Sequence, residues 1–69
     1  MPNICIHLNG ERVELPAGAT VADAVRLAAP RSNAYAIELN QGLVPRREHA
    51  QRALQDGDKL ELVVLVGGG

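Results

Sequence analysis

The sequence predicts an α+β fold, with one main helix and one short helix accompanying a mixed sheet of four to five strands, and three observations lead there. The opening stretch NICIHLNGERVEL alternates apolar and polar residues on both sides of an Asn-Gly pair. The stretch PAGATVADAVRLAAP carries apolar residues at helical spacing. Near the C-terminus LELVVLV is almost continuously apolar, the pattern of a strand inside a sheet with cover on one face and part of the other.

The elements follow in order. Ile4, Ile6 and Leu8 share one face of a first strand at about 3–8, and Val13 and Leu15 continue that face in a second at about 11–15. Between them Asn9-Gly10 supplies the two positive φ angles of a type I′ turn, so the pair is an antiparallel hairpin. Thr20 is placed to cap a helix, with Asp23 three positions on as its reciprocal partner at the positive end. Val21, Ala24, Val25 and Ala28 form the apolar stripe, and Pro30 ends the helix at about 29. Tyr35, Ile37 and Leu39 line one face of a third strand. Asn40-Gln41-Gly42 turns the chain into Leu43-Val44, long enough only for a short edge strand. Pro45, with no N–H to lose, suits the first position of a short helix through about Leu54. After the turn Asp56-Gly57-Asp58 comes the last strand, at about 59–66. One helix laid across a mixed sheet in this order is a β-grasp, or ubiquitin-like, arrangement, although the order alone also suits other α+β folds.

Composition narrows the function classes. At 69 residues the chain makes one domain near the lower limit of a self-sufficient core. Apolar residues are 46% of it, yet Trp and Phe are absent and Tyr35 is the single tyrosine, so the core must be aliphatic. A net charge of -1 provides no basic footprint for nucleic acid. Cys5, alone, has no internal disulfide partner, and no apolar stretch is long enough for a membrane span. A cytoplasmic protein is expected, without nucleic-acid or membrane partners.

The three final glycines need a different explanation, because glycine buries no side chain and loses the most backbone entropy when ordered. The domain is expected to occupy residues 1–66 and a flexible tail residues 67–69. Three residues reach at most roughly 10 Å, enough to present the carboxylate of Gly69 inside a partner while the body docks outside. Side chains there would block a narrow channel; Gly67 and Gly68 pass. The plain alternative is a frayed terminus or an engineered remnant.

The combined pattern of Asn40, Leu43-Val44-Pro45-Arg46, Asp56-Gly57-Asp58, the apolar final strand and Gly68-Gly69 resembles the ThiS family, the small sulfur carriers of thiamin biosynthesis. The Asn9-Gly10 hairpin and PAGATVADAV also suit it, and Gly67 is one glycine beyond the family's Gly-Gly end. The resemblance implies that Gly69 is adenylated by an E1-like adenylyltransferase of ThiF type, which uses ATP and Mg. The adenylate is then converted to a thiocarboxylate with sulfur from a donor protein, and the sulfur passes to a thiazole synthase of ThiG type. The chain itself would be no enzyme and would bind no cofactor.

Three other readings stand beside this one. Another ubiquitin-like sulfur carrier, of the kind found as the small subunit of molybdopterin synthase, has the same tail chemistry. A ubiquitin-like modifier would end in an isopeptide bond. A non-covalent interaction module is also possible, since NGERVELPAGATVADAV is similar to TGS domains, which need no free Gly-Gly end.

With Leu60, Leu62, Val64 and Val66 turned into the core, the outer face of the last strand passes from charged to apolar, Lys59 and Glu61, then Val63 and Leu65, and a partner surface is expected there. Arg46, within the Val-Pro-Arg piece, is a further docking residue implied by the resemblance. Cys5 is read as an inert, partly covered thiol. His7 and His49 have no ligand or carboxylate at useful spacing, so neither a metal site nor a catalytic residue is expected.

Overall fold

The computed structural model describes residues 2–65, so Gly67, Gly68, Gly69 and the end of the predicted last strand at Val66 lie outside the described residues. Five strands, β1 (Asn3–Leu8), β2 (Glu11–Pro16), β3 (Tyr35–Leu39), β4 (Gly42–Val44) and β5 (Lys59–Val64), form one sheet in the order β2-β1-β5-β3-β4. The central pair β1 and β5 is parallel and the other three pairs are antiparallel. Helix α1 (Val21–Ala28) crosses one face, which completes a β-grasp fold.

The core is aliphatic, as the composition requires. Ile6, Ile37, Leu60 and Val21 are its largest fully buried side chains, joined by Ala24 and by Leu8, Leu15, Ala19, Leu39, Val44 and Leu54. The inward alternation read from the sequence is therefore kept in β1, β2 and β3. It fails at the end of β5: Leu60 is buried and Leu62 partly so, but Val64 is 54% exposed, because the core does not extend past Leu62.

Two asparagine turns fix the register of β5 from both sides. Asn9 (φ 52°) and Gly10 (φ 84°) make the predicted turn, and the Asn9 Oδ1 accepts the Leu62 N–H at 2.8 Å. Asn40 (φ 51°) and Gln41 (φ 74°) turn β3 into β4. There the Asn40 Oδ1 accepts the Lys59 N–H at 2.9 Å, and its Nδ2 donates to Asp58 Oδ1 at 3.0 Å. Each side chain replaces a ladder bond at a point where the neighbouring strand has ended. The Asp56-Gly57-Asp58 turn sets the parallel pairing in the same way: Asp56 Oδ1 accepts the Cys5 N–H at 2.7 Å, and the Gly57 N–H donates to Cys5 O at 2.7 Å.

The predicted short helix through Leu54 is a correction. Only Arg46–Glu48 is helical, as a single 3-10 turn, followed by turns and an isolated bridge between Thr20 and Ala53. The cause lies at the start of α1, whose first N–H groups have no partners within the helix. The Val21 N–H donates to Arg52 O and the Ala22 N–H to His49 O, both at 2.9 Å, while Leu54 N–H donates to Ala19 O at 2.8 Å. Carbonyls turned toward α1 are not available to continue a helix of their own.

Candidate functional site

The sheet face opposite α1 is built from the outward positions of its strands. Directly opposite pairs share a face, so Glu38 with Glu61, Ala36 with Val63, and Glu38 with Leu43 place β3, β4 and β5 side chains together there. Along β5 this face runs Lys59, Glu61, Val63, Leu65, from charged to apolar toward the root of the tail. Val63 is 41% exposed and Leu65 53%, and no part of the described chain packs over them. Leu43, 68% exposed, extends the apolar area across β4. Leu43 is not among the residues expected from sequence at this surface, although two-residue alternation beside a buried Val44 turns it outward.

Arg46 lies close to the end of β5, as part of the scaffold. One terminal nitrogen donates to Asn33 O at 2.6 Å and Tyr35 O at 3.1 Å, and the guanidinium sits over the Tyr35 ring at 4.1 Å from its centroid. Tyr35 is the residue opposite Val64. Beneath, His49 is buried, stacks on Tyr35 at 6.5 Å between centroids, and lies with its Nε2 3.0 Å from Val44 O. As that oxygen accepts only, Nε2 carries the proton. His49 is thus a core histidine with a partner, and His7 is exposed on β1. The Tyr35, Arg46 and His49 stack holds the start of β3 against the end of β4, which fixes where β5 leaves the body.

Cys5 is half-buried on β1, with the Arg12 Nε donating to its sulfur at 2.9 Å. That bond, chiefly, raises the Arg12 pKa above its ordinary value. The contact crosses the hairpin diagonally, since Cys5 faces Glu14 and Arg12 faces His7, so adjacency in sequence did not reveal it.

The described body thus offers an apolar outer face, a charged approach to it, and a last strand that runs beyond the core. Comparisons with known proteins identify the family. A model of the ThiS family matches residues 6–69. The sulfur carrier protein ThiS of Escherichia coli is 34% identical over 64 residues, covering 93% of this chain and 97% of that protein. A thiazole synthase of Paramagnetospirillum magneticum is 40% identical over 62 residues, 90% of this chain, but the chain spans only 19% of that protein's length. In fold, the chain matches the crystal structure of a thiamine biosynthesis protein, ThiS, from Geobacter metallireducens, with a TM-score of 0.80 at 22% identity over 96% of the chain.

Proposed function

This chain belongs to the ThiS family of sulfur carriers, and from that premise we propose that Gly69 is the covalent carrier. The observation that carries the reading is the family match, which runs through residue 69 and so takes in the glycine tail. An oxygen of the Gly69 carboxylate attacks the α-phosphorus of ATP on an E1-like adenylyltransferase, and pyrophosphate leaves. A carboxylate is a poor electrophile; the acyl adenylate offers AMP as a leaving group. A persulfide on a donor protein then adds its outer sulfur to the acyl carbon and AMP departs; a thiol attacks the inner sulfur of the resulting acyl disulfide, which frees the thiocarboxylate and leaves the donor in a disulfide.

The thiocarboxylate supplies sulfur for thiazole formation. A thiazole synthase as the receiving partner is supported by the similar segment within the Paramagnetospirillum magneticum enzyme. In this reading the chain catalyses nothing; the partners hold ATP and Mg, and the work takes place in the cytoplasm. The body contributes the docking face of Val63, Leu65 and Leu43, the Arg46 scaffold at the root, and Gly67 and Gly68 as a thread without side chains.

Intact-mass analysis tests this. After incubation with the adenylyltransferase, ATP, Mg and a sulfur donor, the chain should gain the mass difference between sulfur and oxygen, located at Gly69 by fragmentation. The variant lacking Gly69 should gain none. Conjugates of higher mass would identify a protein modifier instead, and an unchanged mass with a competent partner would leave a non-covalent module.

A further inference from the structure

The two edges of β5 are occupied unequally. Rungs to β3 fall at its odd residues: Asn40 N–H donates to Lys59 O at 2.7 Å and Leu65 N–H to Ala34 O at 2.8 Å. The even residues turn their main-chain groups to the other edge. There His7 N–H meets Asp58 O and Asn9 N–H meets Leu60 O, both at 2.9 Å, and the Leu62 N–H is taken by the Asn9 side chain at 2.8 Å. At this point β1 has already ended at Leu8 and the chain has turned back into β2. Among the described residues, nothing pairs with the Leu62 C=O or with the N–H and C=O of Val64 on that edge.

The side chains beside this gap are unusual for a strand at the centre of a sheet. Val63 and Leu65 are exposed on one face, and Val64 is 54% exposed on the other. The run LVVLV has the composition of a strand covered on both sides, yet its last three described residues are covered on neither.

We infer that the end of β5 is completed by an extended strand of the activating partner, which pairs with the Leu62 C=O and the Val64 N–H and C=O and brings apolar cover to Val63, Val64 and Leu65. Only extended main chain presents donors and acceptors at the spacing this edge offers, and strand addition is the mode that satisfies it. The pairing rests on the carrier reading above and adds to it a means of aiming the tail. With β5 held in a sheet shared by both proteins, the chain beyond Leu65 enters the partner in a fixed direction.

The test is amide hydrogen exchange of the carrier, alone and with its adenylyltransferase and ATP, joined to binding measurements on Val64→Pro and Val64→Thr. Proline removes an N–H that has no partner among the described residues, so folding survives, while threonine keeps it. The Val64 N–H should exchange rapidly in the free protein and be protected about tenfold or more in the complex. Val64→Pro should bind about tenfold more weakly and Val64→Thr nearly as well as the parent. If Gly69 is adenylated while the Val64 N–H exchanges as before, or Val64→Pro binds as the parent does, the strand pairing is overturned and the carrier reading stands. If the partner neither binds nor adenylates the chain, both fall. Protection that rises with carrier concentration alone would assign the edge to a second copy and overturn the inference.

Discussion

At the scale of single residues, the asparagines of the two turns do more than permit positive φ. Asn9 closes the hairpin that its sequence announces, but its Oδ1 also satisfies the Leu62 N–H, 53 residues away in the chain. Asn9→Ala removes both the residue suited to the left-handed turn and the acceptor, and should cost about 1–3 kcal/mol in chemical denaturation. Asn9→Asp keeps a carbonyl-like acceptor and should recover most of that loss. An Asn9→Ala protein as stable as the parent would show that the long-range bond contributes nothing. Local propensity made Asn9-Gly10 legible as a turn. The hydrogen bond to β5 was not legible, because no spacing rule links residues that meet only after the sheet has formed.

At the scale of an element, α1 shows how a short helix is held. Thr20 and Asp23 form the expected reciprocal cap: the Asp23 N–H donates to Thr20 Oγ1 at 3.3 Å and the Thr20 N–H to Asp23 Oδ2 at 2.9 Å. Thr20→Ala should lower stability by about 1 kcal/mol, measured as a shift in the denaturant midpoint. The hydrogen bond from the Thr20 backbone is the main cause of an Asp23 pKa below the ordinary carboxylate value. A pKa depressed in the folded state stabilises the fold above the unfolded value and loses that contribution as pH falls through the folded one. The stability difference between the parent and Asp23→Asn should therefore be full at neutral pH and shrink below about pH 4. A difference that is flat from pH 7 to pH 2 would contradict the charged cap. The segment 46–54 shows the reverse case. Its composition suited a helix, but α1 draws on its carbonyls, and tertiary hydrogen bonding prevailed over local preference.

At the scale of the whole molecule, a parallel pairing sets the first and last strands, β1 and β5, side by side within one sheet. In the proposed carrier reading, the last strand extends its load outward from a base anchored in that sheet. Leu65→Glu tests the outer face: its side chain is 53% exposed and its ladder bond to Ala34 belongs to the main chain, so stability should change by no more than about 0.5 kcal/mol. Adenylation, followed by pyrophosphate release, should slow by about tenfold or more, as expected for a charge placed within a buried apolar contact. Normal adenylation of a folded Leu65→Glu protein would remove this face from the docking surface, and a broad loss of stability would make Leu65 a structural residue.

The sequence by itself determined the elements that repeat at short range: the Asn9-Gly10 hairpin, the capped α1, the alternating β3 and the apolar β5. Periodicity and turn chemistry act between neighbours, so they can be read before anything folds. It also carried the family's pattern, tail included. Tertiary structure alone decided which groups met across the chain: Asn9 with Leu62, Arg12 with Cys5, Arg46 with Tyr35, and the carbonyls of His49 and Arg52 with the start of α1. It also decided that Val64 stays exposed, since burial depends on whether another layer reaches that far along the strand, and none of the described chain does.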